Sequence, residues 1–246
     1  MTPAPAALLT RHGLSAERLE EVAGGFVNRV WATPDVVLRV SPSARHAREA
    51  RVACGALAAG VRTARPLFWG RGYSIWERLP GSPPAALTSA LWAELLGDLE
   101  RLHAHPPVPQ PARLPTHWQG EPERVAASQA EAGWTAGERA RLTERLSTPS
   151  PLSEPVFVHA DAYRQNVLAD AQSRYVGLID WGNAGWATLE REVCSLEQME
   201  PALARWGDRL DRALLARLRL DLLLKVAQAG RLPFGLVWEA LTDPHL

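Results

Sequence analysis

Val156-Phe157-Val158-His159-Ala160-Asp161-Ala162-Tyr163-Arg164-Gln165-Asn166, with Asp180-Trp181-Gly182 following fourteen residues after Asn166, is the stretch whose reading decides the fold. An apolar strand, PVFV, leads into a segment of the form H-x-D-x-x-x-x-N. A second apolar run, YVGLI, ends in the D-x-G of Asp180 to Gly182. Between them, Asn-Val-Leu-Ala and Val-Gly-Leu-Ile flank the turn ADAQSR, which predicts a hairpin that brings Asn166 and Asp180 to one end. Phosphoryl transfer needs a carboxylate to orient the attacking hydroxyl, and a carboxamide and a second carboxylate to hold magnesium over a triphosphate. Asp161, Asn166 and Asp180 supply those groups; the structural alternative is that the two aspartates only cap helices or form turns.

Toward the N-terminus, residues 23–41 read as two strands, GGFVNRVWAT and DVVLRVS, joined at Pro34-Asp35. Residues 44–60 are alanine-rich without proline and predict a helix. Along it Val52, Ala53, Ala56 and Leu57 form an apolar stripe with Glu49 at its N-terminal end, on the face expected to be buried. A buried carboxylate needs a cation, and Arg39 in VVLRV is the nearest candidate; otherwise Glu49 simply reaches water. Strands at 65–69 and 73–79 follow, and Pro80-Gly81 breaks the second. Residues 1–80 thus read as a small antiparallel-sheet lobe with one helix.

Residues 81–246 read as a mainly helical lobe that also holds the H-x-D and D-x-G segments. Leu91, Leu95, Leu99 and Leu102 fall at helical spacing, and Pro106-Pro107 closes that helix. Residues 106–122 are proline-dense and read as a surface arm, and 122–147 has helical propensity interrupted at Gly133-Trp134. Helical patterns recur at 188–204, 208–229 and 235–242. The fold class expected is therefore α+β.

Over 246 residues, 27 basic and 27 acidic side chains leave no net charge, so no global field draws the chain to nucleic acid or membrane. The charge is uneven: residues 1–81 carry 11 arginines against 6 acidic residues, and residues 82–246 carry 16 basic against 21 acidic. That polarity suits a polyanion on one lobe and a cationic ligand on the other, or is drift of surface charge. Cys54 and Cys194 lie far apart with no C-x-x-C, so neither zinc nor a disulfide framework is signalled. No apolar run approaches a membrane span and the opening MTPAPAALLTRHG lacks a signal-peptide pattern, so the expected location is cytoplasmic. Lys225 is the single lysine, a bias toward arginine throughout.

H-x-D-x4-N and I-D-x-G, together with LERLHA, YSIWERLPG and VLRVSP, make the chain resemble the aminoglycoside phosphotransferase and choline kinase-like superfamily, from about Gly24 to Val193. The resemblance implies the bilobal protein-kinase-like fold with ATP, or GTP, as co-substrate and Mg2+ as cofactor. It implies Asp161 as the catalytic carboxylate, Asn166 and Asp180 as magnesium ligands, Arg39 as the phosphate-contacting cation and Glu49 as its support. It further implies backbone contacts from Glu77 and Leu79 to adenine, an apolar floor of Leu168 and Ile179, and His159 as a brace. The chain departs from the family pattern in having Arg39 where many relatives have lysine and GGFVNRV in place of a full glycine-rich loop. There, phosphate cradling would fall to Gly24, Gly25 and the amides near Asn28. It also has Glu190 and Glu192 where an aspartate often follows D-x-G.

The implied partners are a nucleotide and a small hydroxylated acceptor, with neither nucleic acid nor membrane. Acidic residues on the rear helices, Glu190, Glu192, Glu197, Glu200, Asp208 and Asp211, favour a polycationic acceptor such as an aminoglycoside, or form a solvated face. Choline, homoserine, macrolides and glycated amines stay open as acceptors. A nucleotide-binding pseudokinase is the alternative from another class. Oligomeric state is not legible in the chain.

Overall fold

Five short strands rich in Val, Trp and Ile make one antiparallel sheet: β1 (Glu20–Val22), β2 (Arg29–Ala32), β3 (Val36–Val40), β4 (Pro66–Gly70) and β5 (Tyr73–Glu77), in the order β1-β2-β3-β5-β4. The computed structural model describes residues 4–22, 29–42, 45–109 and 154–228, and isolated positions between 135 and 144. The chain divides into two compact units, Met1–Gln110 with His159–Gly185, and Pro111–Val158 with Trp186–Leu246.

In the first unit, Thr33 makes the β2–β3 turn: its Oγ1 accepts from the backbone N–H of Val36 at 3.2 Å and of Asp35 at 3.3 Å. One sheet face is closed by a helix the sequence reading did not find, α1 (Pro5–Arg11), whose Leu8 and Leu9 are fully buried with Trp31, Val36, Leu38 and Ile75. Proline at the start of α1 suits a helix's first turn, where no N–H is needed. The predicted helix at 44–60 is α2 (His46–Ala58), and its buried residues His46, Glu49, Ala50, Val52, Ala53 and Ala56 follow the helical period. The helix around Leu91 to Leu102 is α3 (Ser89–Ala104), capped by Thr88, whose Oγ1 accepts from Leu91 N at 3.3 Å. All four predicted leucines are buried.

Residues 59–65, the link from α2 to β4, have little secondary structure and many bonds. Arg62 donates its N–H to the buried Asp98 carboxylate at 3.1 Å, and its carbonyl accepts from Leu178 N at 2.9 Å. Thr63 Oγ1 accepts from the Trp181 indole at 2.9 Å, and the Arg65 carbonyl accepts from Glu77 N at 2.8 Å. The Arg62 guanidinium also covers the ring of Tyr175 at 4.4 Å, and burial beside Asp98 raises the Tyr175 phenol well above its ordinary value.

The predicted hairpin is β7 (Val167–Ala169) against β8 (Tyr175–Leu178), with Val167 opposite Leu178 and Leu168 opposite Gly177. Gly177 is required there, because any Cβ would lie 2.7 Å from the Arg62 carbonyl oxygen. The break after β5 is pinned to the hairpin: Ser82 and Ala169 exchange both backbone hydrogen bonds at 3.0 Å. Gly81 stands at φ +117°, where a side chain would be strained and would strike the Ala169 carbonyl.

In the second unit, β6 (Val156–Val158) pairs with β9 (Gly185–Ala187). The run predicted as one helix over 188–204 is two, α4 (Leu189–Cys194) and α5 (Glu200–Trp206). Arg219 takes the Cys194 carbonyl at 2.9 Å and Leu196 O at 3.5 Å, which ends α4, and Pro201 starts α5 afresh. The helix expected from 208 is α6 (Arg212–Gln228), capped by Asp211, whose Oδ1 accepts from Ala213 N and Leu214 N. Glycines 24 and 25, Asn28, residues 110–122, most of 122–147 and the helix expected at 235–242 lie outside the described residues. Among the described residues no helix is long and apolar enough to cross a membrane.

Candidate active site

Among the described residues, the first unit contains every one read as catalytic, metal-binding or nucleotide-binding. The segment after β6 opens on His159, fully buried and edge-on to Trp181 with centroids 4.7 Å apart, which is the packing expected of a brace. Ala160 follows at φ +59°, a left-handed conformation that costs a non-glycine residue strain and turns the chain sharply at Asp161. The 3-10 turn Arg164–Asn166 ends the loop, and Arg164 Nη1 donates to Ala85 O at 3.0 Å, tying it to the segment beyond Gly81. Asn166 is nearly buried, and its Nδ2 donates to the Asp161 carbonyl at 2.9 Å. That bond fixes the carboxamide and presents its oxygen, Oδ1, as a hard donor.

The hairpin then does what its sequence requires. Ile179 N donates to Asn166 O at 2.8 Å, so Asn166 and Asp180 stand at the same end of the β7–β8 pair. Asp180 is itself left-handed, at φ +68°, and its Oδ1 accepts from Gly182 N at 3.4 Å, starting the 3-10 turn Trp181–Asn183. The turn-forming alternative for Asp180 is therefore realised, alongside a second role described next. At the far end of that turn, Asn183 Nδ2 donates to Asp161 Oδ2 at 3.1 Å. Nothing in the sequence singles out Asn183; it follows a D-x-G with no periodicity to mark it.

Arg39 joins the two acids on its other side. Its Nη1 lies 3.3 Å from Glu49 Oε2, and its Nη2 lies 3.2 and 3.3 Å from the two Asp180 carboxylate oxygens. The Arg39–Glu49 pair expected from the sequence is present, and the fork to Asp180 is an addition that the guanidinium's planar geometry allows. Glu49 does not reach water, being 6% exposed. Burial pushes its carboxyl above the usual carboxylate range; Arg39 pulls it back and Asp180 adds to the rise. Beneath Arg39, whose β-partner is Ser74, a buried polar chain runs from Ser41 to His46 Nε2 (3.1 Å), His46 Nδ1 to Ser74 Oγ (3.0 Å) and Trp76 Nε1 to Ser74 Oγ (2.8 Å). It locks the first turn of α2, and so Glu49, onto the sheet.

The residues expected around adenine lie together in part. Leu79 Cδ1 comes within 3.3 Å of where a Gly177 Cβ would stand, and Gly177 is the cross-strand partner of Leu168. Strand alternation puts Gly177 and Ile179 on one face, so Leu79, Leu168 and Ile179 flank the same surface. Glu77 is exposed, and its N–H is taken by Arg65 O, so its carbonyl is the backbone group it has to offer.

Whether the donors fit a magnesium ion is a question of chemistry. Asn166 Oδ1 and a partly exposed Asp180 carboxylate are hard oxygen ligands, the kind that Mg2+ takes together with water and phosphate oxygens. The set fits.

The acidic residues of the second unit fall into two groups. Glu190 and Glu192 are fully buried, and Glu190 Oε1 accepts from Asp211 N at 2.8 Å, holding the start of α6. Glu197, Glu200 and Asp208 are exposed. Of the six acids read on the rear helices as favouring a polycationic acceptor or forming a solvated face, Glu190 and Glu192 are interior and Asp211 caps a helix.

Residues 18–231 match the phosphotransferase enzyme family, and the chain belongs to it. No curated protein matches at the level of sequence. Among solved structures, the chain is similar to a spectinomycin phosphotransferase in complex with ADP and spectinomycin, at 12% identity and TM-score 0.69, covering 99% of this chain and 96% of that one. An aminoglycoside 2'-phosphotransferase in complex with GDP matches at 18% identity and TM-score 0.69, over 95% and 94% of the two chains. A choline/ethanolamine kinase family protein from Mesorhizobium loti matches at 18% and 0.59, over 92% and 88%. The fold is α+β and protein-kinase-like, as the motifs implied.

Proposed function

We propose that the chain is a small-molecule kinase that transfers the γ-phosphate of ATP or GTP to a hydroxyl of an aminoglycoside-like or other small hydroxylated acceptor. One observation carries the reading: a continuous run of polar contacts, Glu49–Arg39–Asp180 and, across the Trp181–Asn183 turn, Asn183–Asp161–Asn166, gathers residues from three separate stretches of sequence. Family membership and relatives crystallised with ADP or GDP support a nucleotide as the donor.

In this reading Asp161 accepts a hydrogen bond from the acceptor hydroxyl and aims its oxygen at the γ-phosphorus, taking the proton as the new O–P bond forms and the bond to the leaving nucleoside diphosphate breaks. Arg39, held by buried Glu49, faces the phosphates with its remaining donors. Asn166 and Asp180 hold Mg2+, which when bound offsets charge on the phosphate oxygens. Leu79, Leu168 and Ile179 give the base an apolar surface and exclude water from it.

The experiment is a transfer assay with MgATP and MgGTP against kanamycin, erythromycin, choline and homoserine, with an Asp161→Ala control. Phosphorylated product that needs Mg2+ and vanishes in the control is the expected result. Nucleotide binding with no transfer to any acceptor would instead favour a pseudokinase, and absence of binding would remove the kinase reading altogether.

A further inference from the structure

We infer that Asn183 is a positioning residue for Asp161: its amide holds one carboxylate oxygen, Oδ2, and so sets the orientation in which the carboxylate meets the acceptor hydroxyl. The inference deepens the kinase reading and rests on it.

The carboxylate of Asp161 receives the Asn183 amide at 3.1 Å, while the Asp161 carbonyl receives the Asn166 amide at 2.9 Å, so one carboxamide orients the side chain and another the backbone. A hydrogen bond to an ionised oxygen is among the stronger neutral-donor contacts, and it removes the freedom of a two-fold carboxylate rotor. Position alone would mean little on a loose surface turn, but this turn is fixed. Asp180 starts it through Gly182 N, and the Trp181 indole is anchored on Thr63 Oγ1 at 2.9 Å. The residues on either side of Asn183 are held by one guanidinium: Arg48 donates to Gly182 O at 3.3 Å and also to Ala184 O. A donor mounted on so constrained a backbone pre-sets its partner with little entropy left to lose. The same turn is begun by the proposed metal ligand Asp180 and ended by the residue that orients the proposed base, so a single three-residue element sets both.

A purely structural role makes the opposite forecast from a donor role, and an isosteric change separates them. Asn183→Asp keeps size, exposure and turn preference but replaces the N–H donor by a second anion facing Asp161. Wild type, Asp161→Ala, Asn183→Ala and Asn183→Asp are compared for γ-phosphate transfer from radiolabelled MgATP and MgGTP to kanamycin, erythromycin, choline, homoserine and water, each variant first checked for an unchanged melting temperature. We expect Asn183→Ala to lower kcat by about 10–100-fold, the worth of a hydrogen bond to a charged group. The KM for MgATP should stay within about twofold. Asn183→Asp should fall lower still. If wild type transfers phosphate and Asp161→Ala does not, but Asn183→Asp is as active as wild type or more active than Asn183→Ala, the positioning role is overturned and the kinase reading stands. If wild type transfers phosphate to none of the five, both fall together.

Discussion

In the unit formed by Met1–Gln110 and His159–Gly185, Glu49, Asp161 and Asp180 each meet a nitrogen donor of the same unit. In the described part of the other unit, Glu190 serves a helix start and Glu197, Glu200 and Asp208 face solvent. Both regions are acidic where sequence reading expects ligands; in the first, side-chain donors from three stretches of sequence meet the acids around one turn, and in the second the Glu190 carboxylate takes the backbone amide that starts a helix. What sets the first region apart is the convergence of its acids on one turn rather than the density of carboxylates. Arg39 differs from a helix cap in joining a carboxylate of α2 to that of Asp180, 141 positions from the arginine.

The sharpest way to break this contrast is Asp161→Asn, which keeps the shape and removes the base. Turnover should drop by about 10²–10⁴-fold with the MgATP KM little changed, and a variant near wild-type rate would show that convergence had been misread. On the second region the matching change is Glu190→Ala, which strands the Asp211 N–H in the interior. It should cost about 1–3 kcal/mol in urea unfolding, and no loss of stability would deny the carboxylate its structural role.

A smaller effect sharpens the picture of the first region. Burial, opposed by the backbone bond at Ser41 and aided by the nearby Arg39, holds His46 below its ordinary 6.5, so the folded state prefers the neutral ring. Stability from this group is complete above 6.5 and is lost as pH falls below it toward the folded value, because the unfolded chain binds the proton first. Glu49 acts in the opposite sense: its raised folded value means that the buried charge destabilises at neutral pH and that the penalty eases on acidification. His46→Gln should flatten the acid side of the urea midpoint against pH, and an unchanged profile would mean that Glu49 governs it. The smallest change is expected for Glu197→Lys with Glu200→Lys, where stability should move within about 0.5 kcal/mol. A large rise in acceptor KM in that double variant would restore these exposed acids as ligand contacts.

Much of this was legible in advance, because it rests on local pattern. The hairpin bringing Asn166 to Asp180 follows from two apolar runs and a polar turn, and the Arg39–Glu49 pair follows from a carboxylate on an apolar helix face. What escaped reading depends on distant partners. Leu8 and Leu9 look like a tail until a sheet lies beneath them. The carbonyl at the end of α4 is taken by Arg219, twenty-five positions beyond it. Arg39's reach to Asp180 spans 141 positions, and Asn183's contact with Asp161 lies across a turn that no periodicity announces.

The link from α2 to β4 invites one last deduction. Coil at a domain surface ordinarily absorbs insertions and deletions with ease. Here Arg62, Thr63 and Arg65 each engage a different strand or turn, so adding or removing one residue would shift every one of those bonds by a full position. Length, more than residue identity, is what these bonds fix between Ala58 and Pro66, and an engineer looking for a permissive place to graft a tag or a sensor should look elsewhere.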